Sequence, residues 1–339
     1  MKLTVGVVSR NGLPFLMRCL ESLPSLNDCA TDVEFILVDS ASSDRTLDAM
    51  LAFARARSNC RVYSMQGKVN LSATRNVVLR NASPGAVFLV DGDVAVNRDF
   101  VVAALEELKL DTCDIVTGRY TYILHDGKGK PYSTIPDVNK INTRHYLNHA
   151  FGGIIPYNSG IVLLGPQVME KRPIQDESMR RSQDYDFLIR LADDFRILGL
   201  PINMGTHFTV PYLHPDRIGT WFKEAYNRPA ARIIRENLNR PVRIWRARRL
   251  FRVQFVGLLE LLTLIAAIVS GSMLATAIVL FLIGIDIARY ALRGRLREWI
   301  SNRLVALFQT IWGLVWPEKQ ELNYTVRLAY SVTQQQRIT

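Results

Sequence analysis

Two carboxylates, Asp91 and Asp93, stand on either side of a glycine directly after the apolar run Ala86-Val-Phe-Leu-Val90. The run is short and rich in β-branched and aromatic residues, which predicts a buried strand that ends at the carboxylates. Carboxylate oxygens suit a hard divalent cation, Mn²⁺ or Mg²⁺, whose remaining ligands come from substrate phosphates. The sequence therefore predicts a metal and phosphate site here, with a solvated turn as the alternative.

A third carboxylate, Asp39, closes a second apolar run and is followed by Ser-Ala-Ser-Ser-Asp-Arg-Thr46. A carboxylate among serines can accept hydrogen bonds from a nucleobase imide or a ribose hydroxyl. Asp44, in the same segment, is a better candidate for capping the helix that begins near Thr46. We therefore expect Asp39 to contact a nucleoside and Asp44 to be structural.

These carboxylates need a sheet to position them, and the apolar pattern predicts one. Strands are predicted over residues 3–8, 33–38, 61–65, 86–90 and 161–164. Helices are predicted over residues 14–23, 46–57, 71–81, 100–110 and 184–193. This alternation indicates a parallel sheet covered on both faces, which binds ligands at the carboxyl ends of its strands. Residues 122–156 are polar and rich in Gly, Pro, His and Asn, and we expect a long functional loop or lid there.

The basic charge of the chain is confined to its last third. The net charge is +11, and residues 215–339 hold 19 of the 42 Lys and Arg but only 8 of the 31 Asp and Glu. Nine arginines fall in residues 228–252, directly before an apolar run over residues 255–288. A basic block beside an apolar run indicates an anionic membrane surface rather than nucleic acid.

The apolar run is too long to be a single helical span of a ~30 Å hydrocarbon core. A turn at Ser270-Gly271-Ser272 would divide it into a hairpin with arms of about 15 to 16 residues, roughly 24 Å each. The hairpin would cross a thin membrane or re-enter one leaflet, and arginines at both ends predict that both ends are cytoplasmic. Residues 296–316 are predicted to form an amphipathic interfacial helix. The alternative for the whole region is a soluble helical core.

Four segments occur in the order typical of one enzyme family: Val5-Gly-Val-Val-Ser-Arg-Asn11, Val38-Asp-Ser-Ala-Ser-Ser-Asp-Arg-Thr46, Ser72-Ala-Thr-Arg-Asn76 and Asp91-Gly-Asp93. In these segments the chain resembles the family 2 glycosyltransferases, over residues 1 to about 215. The resemblance implies the GT-A fold, a Rossmann-like nucleotide-binding α/β domain. Ser40-Ala41 stands where the family often has Asp-Gly, so the base of the donor stays open.

The resemblance also implies roles for individual residues. The implied donor-binding residues are Ser9, Asn11, Asp39, Arg75, Asp91 and Gly160. The first three would contact the nucleoside, and Arg75 would lie near the nucleotide or support the site. Asp91 and Asp93 would hold the metal and the diphosphate. The segment Asn158-Ser159-Gly160 resembles the family's turn near the donor sugar, with a plain turn as the alternative.

The segment Ser182-Gln-Asp-Tyr-Asp-Phe-Leu-Ile-Arg190 resembles the part of the family that carries the general base. By that resemblance Asp184 takes the proton from the acceptor hydroxyl in an inverting transfer. Gln183 stands where the family usually has Glu, and Asp186 is the rival base.

One late histidine, His214, matches a histidine that often completes the metal shell in GT-A enzymes, and His207 is its competitor. Three other histidines lie in the predicted loop and could meet the acceptor: His125, His145 and His149.

The sequence thus predicts an α/β catalytic domain over residues 1–218, a basic juxtamembrane helical segment over 219–253, an apolar hairpin over 254–289, and an amphipathic helix with a tail over 290–339. We expect an inverting, metal-dependent glycosyltransferase at the inner (cell) membrane, with its catalytic domain in the cytoplasm. Its expected partners are a nucleotide-sugar donor, a polyprenyl-linked glycan acceptor of surface polysaccharide or glycolipid synthesis, and membrane lipid.

Nucleic acid is not among the expected partners, and the C-terminal helices could pack against a second copy of the chain. Two alternatives stay open. One is transfer of a sugar directly to polyprenyl phosphate. The other is a membrane-anchored nucleotide-binding protein without catalysis.

Overall fold

The computed structural model describes residues 1–126, 129–136, 138–148, 160–179, 181–210, 228–292, 306–315 and 321–331. The chain divides into two compact units. The first combines Met1–Pro211 with Gln320–Thr339, and the second is Tyr212–Lys319.

The first unit is built on a mixed sheet of eleven strands among the described residues, and helices pack on it. The strands are β1 (Lys2–Ser9), β2 (Asp32–Asp39), β3 (Cys60–Lys68), β4 (Ala86–Asp91), β5 (Val94–Val96), β6 (Ile115–His125), β7 (Pro131–Ile135), β8 (His145–Tyr146), β9 (Val162–Leu164), β10 (Ile197–Thr209) and β11 (Asn323–Tyr330). The helices are α1 (Phe15–Ser22), α2 (Thr46–Arg55), α3 (Leu71–Asn81), α4 (Arg98–Lys109), α5 (Pro166–Glu170) and α6 (Gln183–Leu191).

The predicted parallel core is confirmed. Strands β3, β2, β1 and β4 lie side by side and run parallel, in the order expected for strands joined by helical crossovers. Nearly every residue of β1, β2 and β4 is buried, which agrees with their continuous apolar sequences. The carboxyl ends of β1, β2 and β4 therefore meet along one edge.

The second half of the sheet differs from the predicted long loop at residues 122–156. Strand β6 continues to His125, and the short strands β7 and β8 pair with β6 and β10. A polar strand such as β7, Pro131–Ile135, is exposed along its whole length. Polar composition therefore does not distinguish this exposed strand from a loop.

The last strand, β11, was not predicted and lies in what the sequence suggested was a C-terminal tail. It pairs antiparallel with β3 at the edge of the sheet, from Asn323 opposite Lys68 to Tyr330 opposite Val62. Tyr330 packs into the core of the first unit. The chain thus returns to the first unit after the whole of the second has been formed.

The second unit is helical in its described residues. Its helices are α7 (Arg228–Glu236), α8 (Pro241–Arg246), α9 (Arg248–Val269), α10 (Met273–Leu292) and α11 (Ala306–Val315). The predicted turn is confirmed, because α9 ends at Val269 and α10 begins at Met273, with Gly271 at a φ of +66° between them. Among the helices that the structure describes, only α10 is long and apolar enough to cross a membrane, with a mean hydropathy of 1.8 and none of its apolar window buried.

Candidate functional site

Strand register brings the chemically active side chains of three strands together. Ser9 at the end of β1 pairs with Asp39 at the end of β2, and Val8 pairs with Asp91 at the end of β4. Two backbone hydrogen bonds extend this pairing past the strands, from Ser40 N to Ser9 O (2.9 Å) and from Gly92 N to Val8 O (2.8 Å). The parallel sheet therefore places Asp39 and Asp91 on the two sides of Ser9.

Asn11 connects the turn after β1 to the turn after β2. Its backbone has a φ of 48°, and its side-chain Oδ1 accepts from Ser43 N at 2.8 Å. Its own N–H donates to Ser42 Oγ at 2.9 Å. A left-handed backbone is tolerated at Asn because its short amide can satisfy local groups. Asn11 therefore fixes the serine turn next to Asp39.

Asp39 itself is buried and incompletely paired. One carboxylate oxygen accepts from Ser42 N at 3.3 Å, and the other, Oδ1, is buried without a hydrogen-bond partner among the described residues. Burial raises the pKa of Asp39, against the opposing effect of the hydrogen bonds from Ser42. A buried acceptor without a donor is costly, so a ligand N–H or O–H would satisfy it.

Arg75 reaches from α3 to Asp91 and is 2% exposed. Its Nη2 lies 2.8 Å from both carboxylate oxygens of Asp91. Burial raises the pKa of Asp91, the Arg75 guanidinium acts against this, and the Asp93 carboxylate adds to it. Arg75 therefore compensates a carboxylate that the fold has removed from water.

Gly160 lies against this ion pair with a φ of +78°. A Cβ at this position would fall 2.0 Å from Arg75 Nη2 and 2.5 Å from Asp91 Oδ2. Both the backbone conformation and the lack of space require glycine here.

Asp93 faces a histidine from β10. His207 Nε2 lies 2.9 Å from Asp93 Oδ2, and a proton on that nitrogen donates to the carboxylate. Burial lowers the pKa of His207, but the charge and hydrogen bond of Asp93 outweigh it and leave the pKa raised. The other carboxylate oxygen, Asp93 Oδ1, is buried without a hydrogen-bond partner among the described residues.

Asp184 and Asp186 sit in the first turn of α6 but in different surroundings. Asp186 is buried, and its Oδ2 accepts from Arg190 Nε at 2.8 Å. Asp184 is half-buried, and its carboxylate has no hydrogen-bond or ion-pair partner within the described part of the chain. Asp186 is thus committed to an ion pair, whereas Asp184 is available.

Residues 4–163 match the family model described as Glycosyl transferase family 2. The chain carries a family 2 glycosyltransferase domain. The matched residues run from β1 to β9, so they include the whole edge that holds Asp39, Asp91 and Asp93.

Among curated relatives, a poly(ribitol-phosphate) beta-glucosyltransferase of Bacillus spizizenii is 23% identical over 239 residues, which cover 64% of this chain and 35% of the relative. Glycosyltransferase GlyG of Streptococcus pneumoniae is 24% identical over 52% of this chain and 58% of its own length. The chain thus spans less than two thirds of these relatives.

One solved structure shows the same fold over most of the chain. A mannosyltransferase from Pyrobaculum calidifontis, in complex with GDP-Man and Mn²⁺, has a TM-score of 0.63 at 17% identity, over 93% of this chain and 87% of its own. The fold of the first unit is therefore the mixed α/β sheet of the GT-A type.

Several residues that the sequence singled out lie outside the described residues. These are His214, His149, Asn158 and Ser159. His125 is described and buried, and its ring packs 4.7 Å from that of Phe15. His145 is exposed on β8, with Nδ1 2.7 Å from Thr143 O. Asp44 accepts from Thr46 N at 2.9 Å at the start of α2, as expected of a structural residue.

The carboxylates of the family 2 domain have the donor chemistry of a divalent-cation site. Asp93 Oδ1 is a buried hard oxygen without a proton donor, which a cation would satisfy. No group of three or more His, Cys, Asp and Glu side chains is arranged to hold a metal within the described ranges. A cation on Asp91 and Asp93 would therefore complete its shell with water or with substrate phosphate oxygens.

Proposed function

We propose that the chain is an inverting glycosyltransferase that moves a sugar from a nucleotide-sugar donor to a membrane-proximal glycan acceptor, with polyprenyl-linked glycans as the expected class. The observation that carries this proposal is the sheet edge that holds Asp39, Asp91 and Asp93, where the buried Asp39 Oδ1 could accept from a nucleoside and the buried Asp93 Oδ1 could bind a cation. Two fold relatives support the donor class, because one was crystallised with GDP-Man and Mn²⁺ and TarS of Staphylococcus aureus with UDP-GlcNAc.

In this mechanism the chain's own residues orient the donor and accept one proton. Asp39 and the Asn11 turn would bind the nucleoside, and Asp184 would take the proton of the acceptor hydroxyl as that oxygen attacks the anomeric carbon. The bond from the anomeric carbon to the diphosphate breaks as the new glycosidic bond forms, and the diphosphate leaves with the bonding electron pair. A divalent cation held by Asp91 and Asp93 would neutralise charge on the diphosphate.

Membrane association is part of the proposal and rests on the second unit. Helix α10 exposes its apolar side chains, and the apolar part of α9, Phe255–Val269, does the same over much of its length. Nine arginines over residues 228–252 precede them. Apolar helices with a basic flank suit insertion at an anionic, cytoplasmic membrane face, where a lipid-linked acceptor would be presented.

The test is hydrolysis of UDP-glucose, UDP-GlcNAc and GDP-mannose by the full-length protein in lipid, with Mn²⁺, Mg²⁺ or EDTA. We expect metal-dependent release of one nucleoside diphosphate, lost in Asp93→Ala and retained in Asp99→Ala, which removes an exposed carboxylate on α4. Equal release in EDTA would contradict the metal, and no release in any condition would contradict turnover of these donors.

The two acceptor alternatives differ in the atom that attacks. With the donor known, transfer to polyprenyl phosphate and transfer to a sugar on polyprenyl pyrophosphate give products that lipid chromatography separates. We expect the sugar-linked lipid to be the acceptor. A product formed only from polyprenyl phosphate would assign the chain to the alternative reaction.

A further inference from the structure

A short segment over residues 174–179, here called the strap, is held by two asparagine side chains, one within helix α3 and one at its N-cap. The side chain of Asn76, which is fully buried, forms a reciprocal pair with the backbone of Gln175. Its Nδ2 donates to Gln175 O at 2.9 Å, and its Oδ1 accepts from Gln175 N at 2.8 Å. The same Nδ2 also donates to Glu177 Oε1 at 2.8 Å. One side chain therefore fixes both the backbone and a side chain of the strap.

A second asparagine holds the far end of the strap. Asn70 caps α3, since its Oδ1 accepts from Ala73 N at 2.9 Å. Its Nδ2 donates to Glu177 O at 2.6 Å and to Met179 O at 3.1 Å. All but one of these bonds use a backbone group of the strap or of α3, so the strap cannot move relative to α3 without losing several of them.

The strap is also joined to helix α6, which carries Asp184. Arg190, two turns along α6, donates from Nη2 to Ile174 O at 3.1 Å and from Nε to the buried Asp186 at 2.8 Å. Only three residues of the chain, 180–182, separate the end of the strap from the start of α6 at Gln183. The strap is therefore fixed to α6 through the chain and through Arg190.

On the other side the strap adjoins the donor carboxylate. Arg75, which holds Asp91, directly precedes Asn76 on α3. In contrast, no hydrogen bond among the described residues joins the strap to the side chains that line the nucleoside side of the site, which are Ser9, Asn11 and Asp39. Loosening the strap would thus disturb the geometry between Asp91 and Asp184 more than nucleoside binding.

We propose that the strap is a positioning device, and that Asn76 and Arg190 are positioning residues that hold Asp184 in register with the donor carboxylates. The proposal rests on the function proposed above. Neither residue touches the reacting atoms, so its loss lowers kcat through the placement of Asp184. Misplacement of a catalytic group by about 1 Å can cost about 100-fold in rate.

The experiment compares Asn76→Ala with Asn81→Ala, in full-length protein in lipid. Asn81 is the matched control, because it lies on the same helix and is half-buried, and its side chain bonds Val77 O and Tyr63 rather than the strap. Arg190→Met, at a half-exposed position, is the second variant in case Asn76→Ala does not fold, and Arg98→Met is its control. Arg98 pairs with Asp28, outside the strap.

Two readouts are taken on each variant. Hydrogen exchange measures the amides of residues 183–191, and kinetics measure kcat together with the Kd for UDP or GDP with Mn²⁺. We expect Asn76→Ala and Arg190→Met to exchange faster over residues 183–191 and to lose about 10- to 100-fold in kcat, with Kd changed less than about threefold. Both control variants keep wild-type exchange and kcat.

Unchanged exchange over residues 183–191 in both strap variants would overturn the proposal, whatever their activity. Faster exchange with an unchanged kcat would overturn it as well. If the wild type turns over no donor, the proposed function fails, and the exchange readout alone still decides whether the strap orders α6.

Discussion

At the scale of single residues, the neighbouring carboxylates of Asp184 and Asp186 differ in their surroundings, since Asp186 forms an ion pair with Arg190. Asp184→Asn removes the proposed base while it keeps the shape of the side chain. We expect a loss of about 10²- to 10⁴-fold in transfer rate, because general base catalysis contributes about that much. Donor binding, measured by calorimetry with the nucleoside diphosphate and Mn²⁺, should be unchanged.

The control for this prediction is Asp186→Asn, one half-turn along the same helix. Asp186 pairs with Arg190, and Asp186→Asn removes the negative charge of this ion pair. The variant should therefore mainly have lower thermal stability, and it should keep more activity than Asp184→Asn. A larger rate loss in Asp186→Asn than in Asp184→Asn would assign the role of the base to Asp186 instead of Asp184. Donor binding in both variants with transfer in neither these nor the wild type would favour the non-catalytic nucleotide-binding protein.

Gly160 gives a second prediction at this scale. Gly160→Ala should cost about 1–3 kcal/mol in stability through its left-handed backbone, and should also weaken donor turnover by displacing Arg75 and Asp91. Gly129→Ala isolates the backbone effect, because Gly129 has a φ of +80° and open space around its Cβ position. Thermal unfolding and donor hydrolysis are measured on Gly160→Ala and Gly129→Ala. Equal hydrolysis in the two variants would contradict the role of the close contact between the added Cβ and the Arg75–Asp91 pair.

The carboxylates at the carboxyl end of β4 show what a residue-by-residue resemblance could predict. Asp91, Asp93 and Arg75 were each assigned from a short motif, and the structure brings all three to one edge. His207, which contacts Asp93, was only the competitor of His214. The contact of His207 with Asp93 depends on the antiparallel pairing of β10 with β5. A single histidine in a polar segment does not predict that pairing.

At the scale of elements, the sequence predicted the buried strands β1, β2, β4 and β9 together with β3. It missed the partly buried β5, β6 and β10 and the more exposed β7, β8 and β11. The strands β1, β2 and β4 could be predicted from their apolar runs, because a strand buried on both faces is apolar at nearly every position. Strand β7 is exposed at every residue and β11 at half of its residues, and β11 pairs with β3, which lies far away in the chain. Long-range pairing of this kind leaves no local pattern.

Strand β11 carries the prediction at this scale, because it completes the first unit from the far end of the chain. Tyr330 is 9% exposed and packs into the core, whereas Val326 on the same strand is 42% exposed. We expect Tyr330→Ala to cost about 3–5 kcal/mol in the free energy of unfolding, as large-to-small changes in cores do. Val326→Ala should cost less than about 1 kcal/mol.

Thermal unfolding of the two variants checks this pairing of β11 with β3. Tyr324 adds a second contact, since its hydroxyl donates to Glu177 of the strap at 2.7 Å. If Tyr330→Ala and Val326→Ala were equally stable, β11 would not be docked on β3 in solution. The C-terminal residues would then be a tail, as the sequence suggested.

At the scale of the whole molecule, the two units differ in what their surfaces face. The first unit buries its strands under helices, whereas helix α10 of the second keeps large apolar side chains exposed over its whole length. A 20-residue helix rises about 30 Å, the thickness of a hydrocarbon core. A surface of this length and composition is stable only when lipid or another protein covers it.

The final prediction distinguishes lipid from a protein partner by the position of an added charge. Leu282 lies near the middle of α10 and is 58% exposed, and Met273 begins the helix and is 89% exposed. In a bilayer, Leu282→Arg places a cation at the centre, at a cost of about 2.5–3.5 kcal/mol, whereas Met273→Arg places it near a boundary that tolerates it. We expect vesicle flotation to recover the wild type and Met273→Arg with the lipid, and to recover much less of Leu282→Arg.

Because both positions are exposed, a protein partner covering α10 would be disturbed by either arginine without this dependence on depth. Equal flotation of the two variants would therefore indicate that α10 is covered by protein, for example by a second copy of the chain.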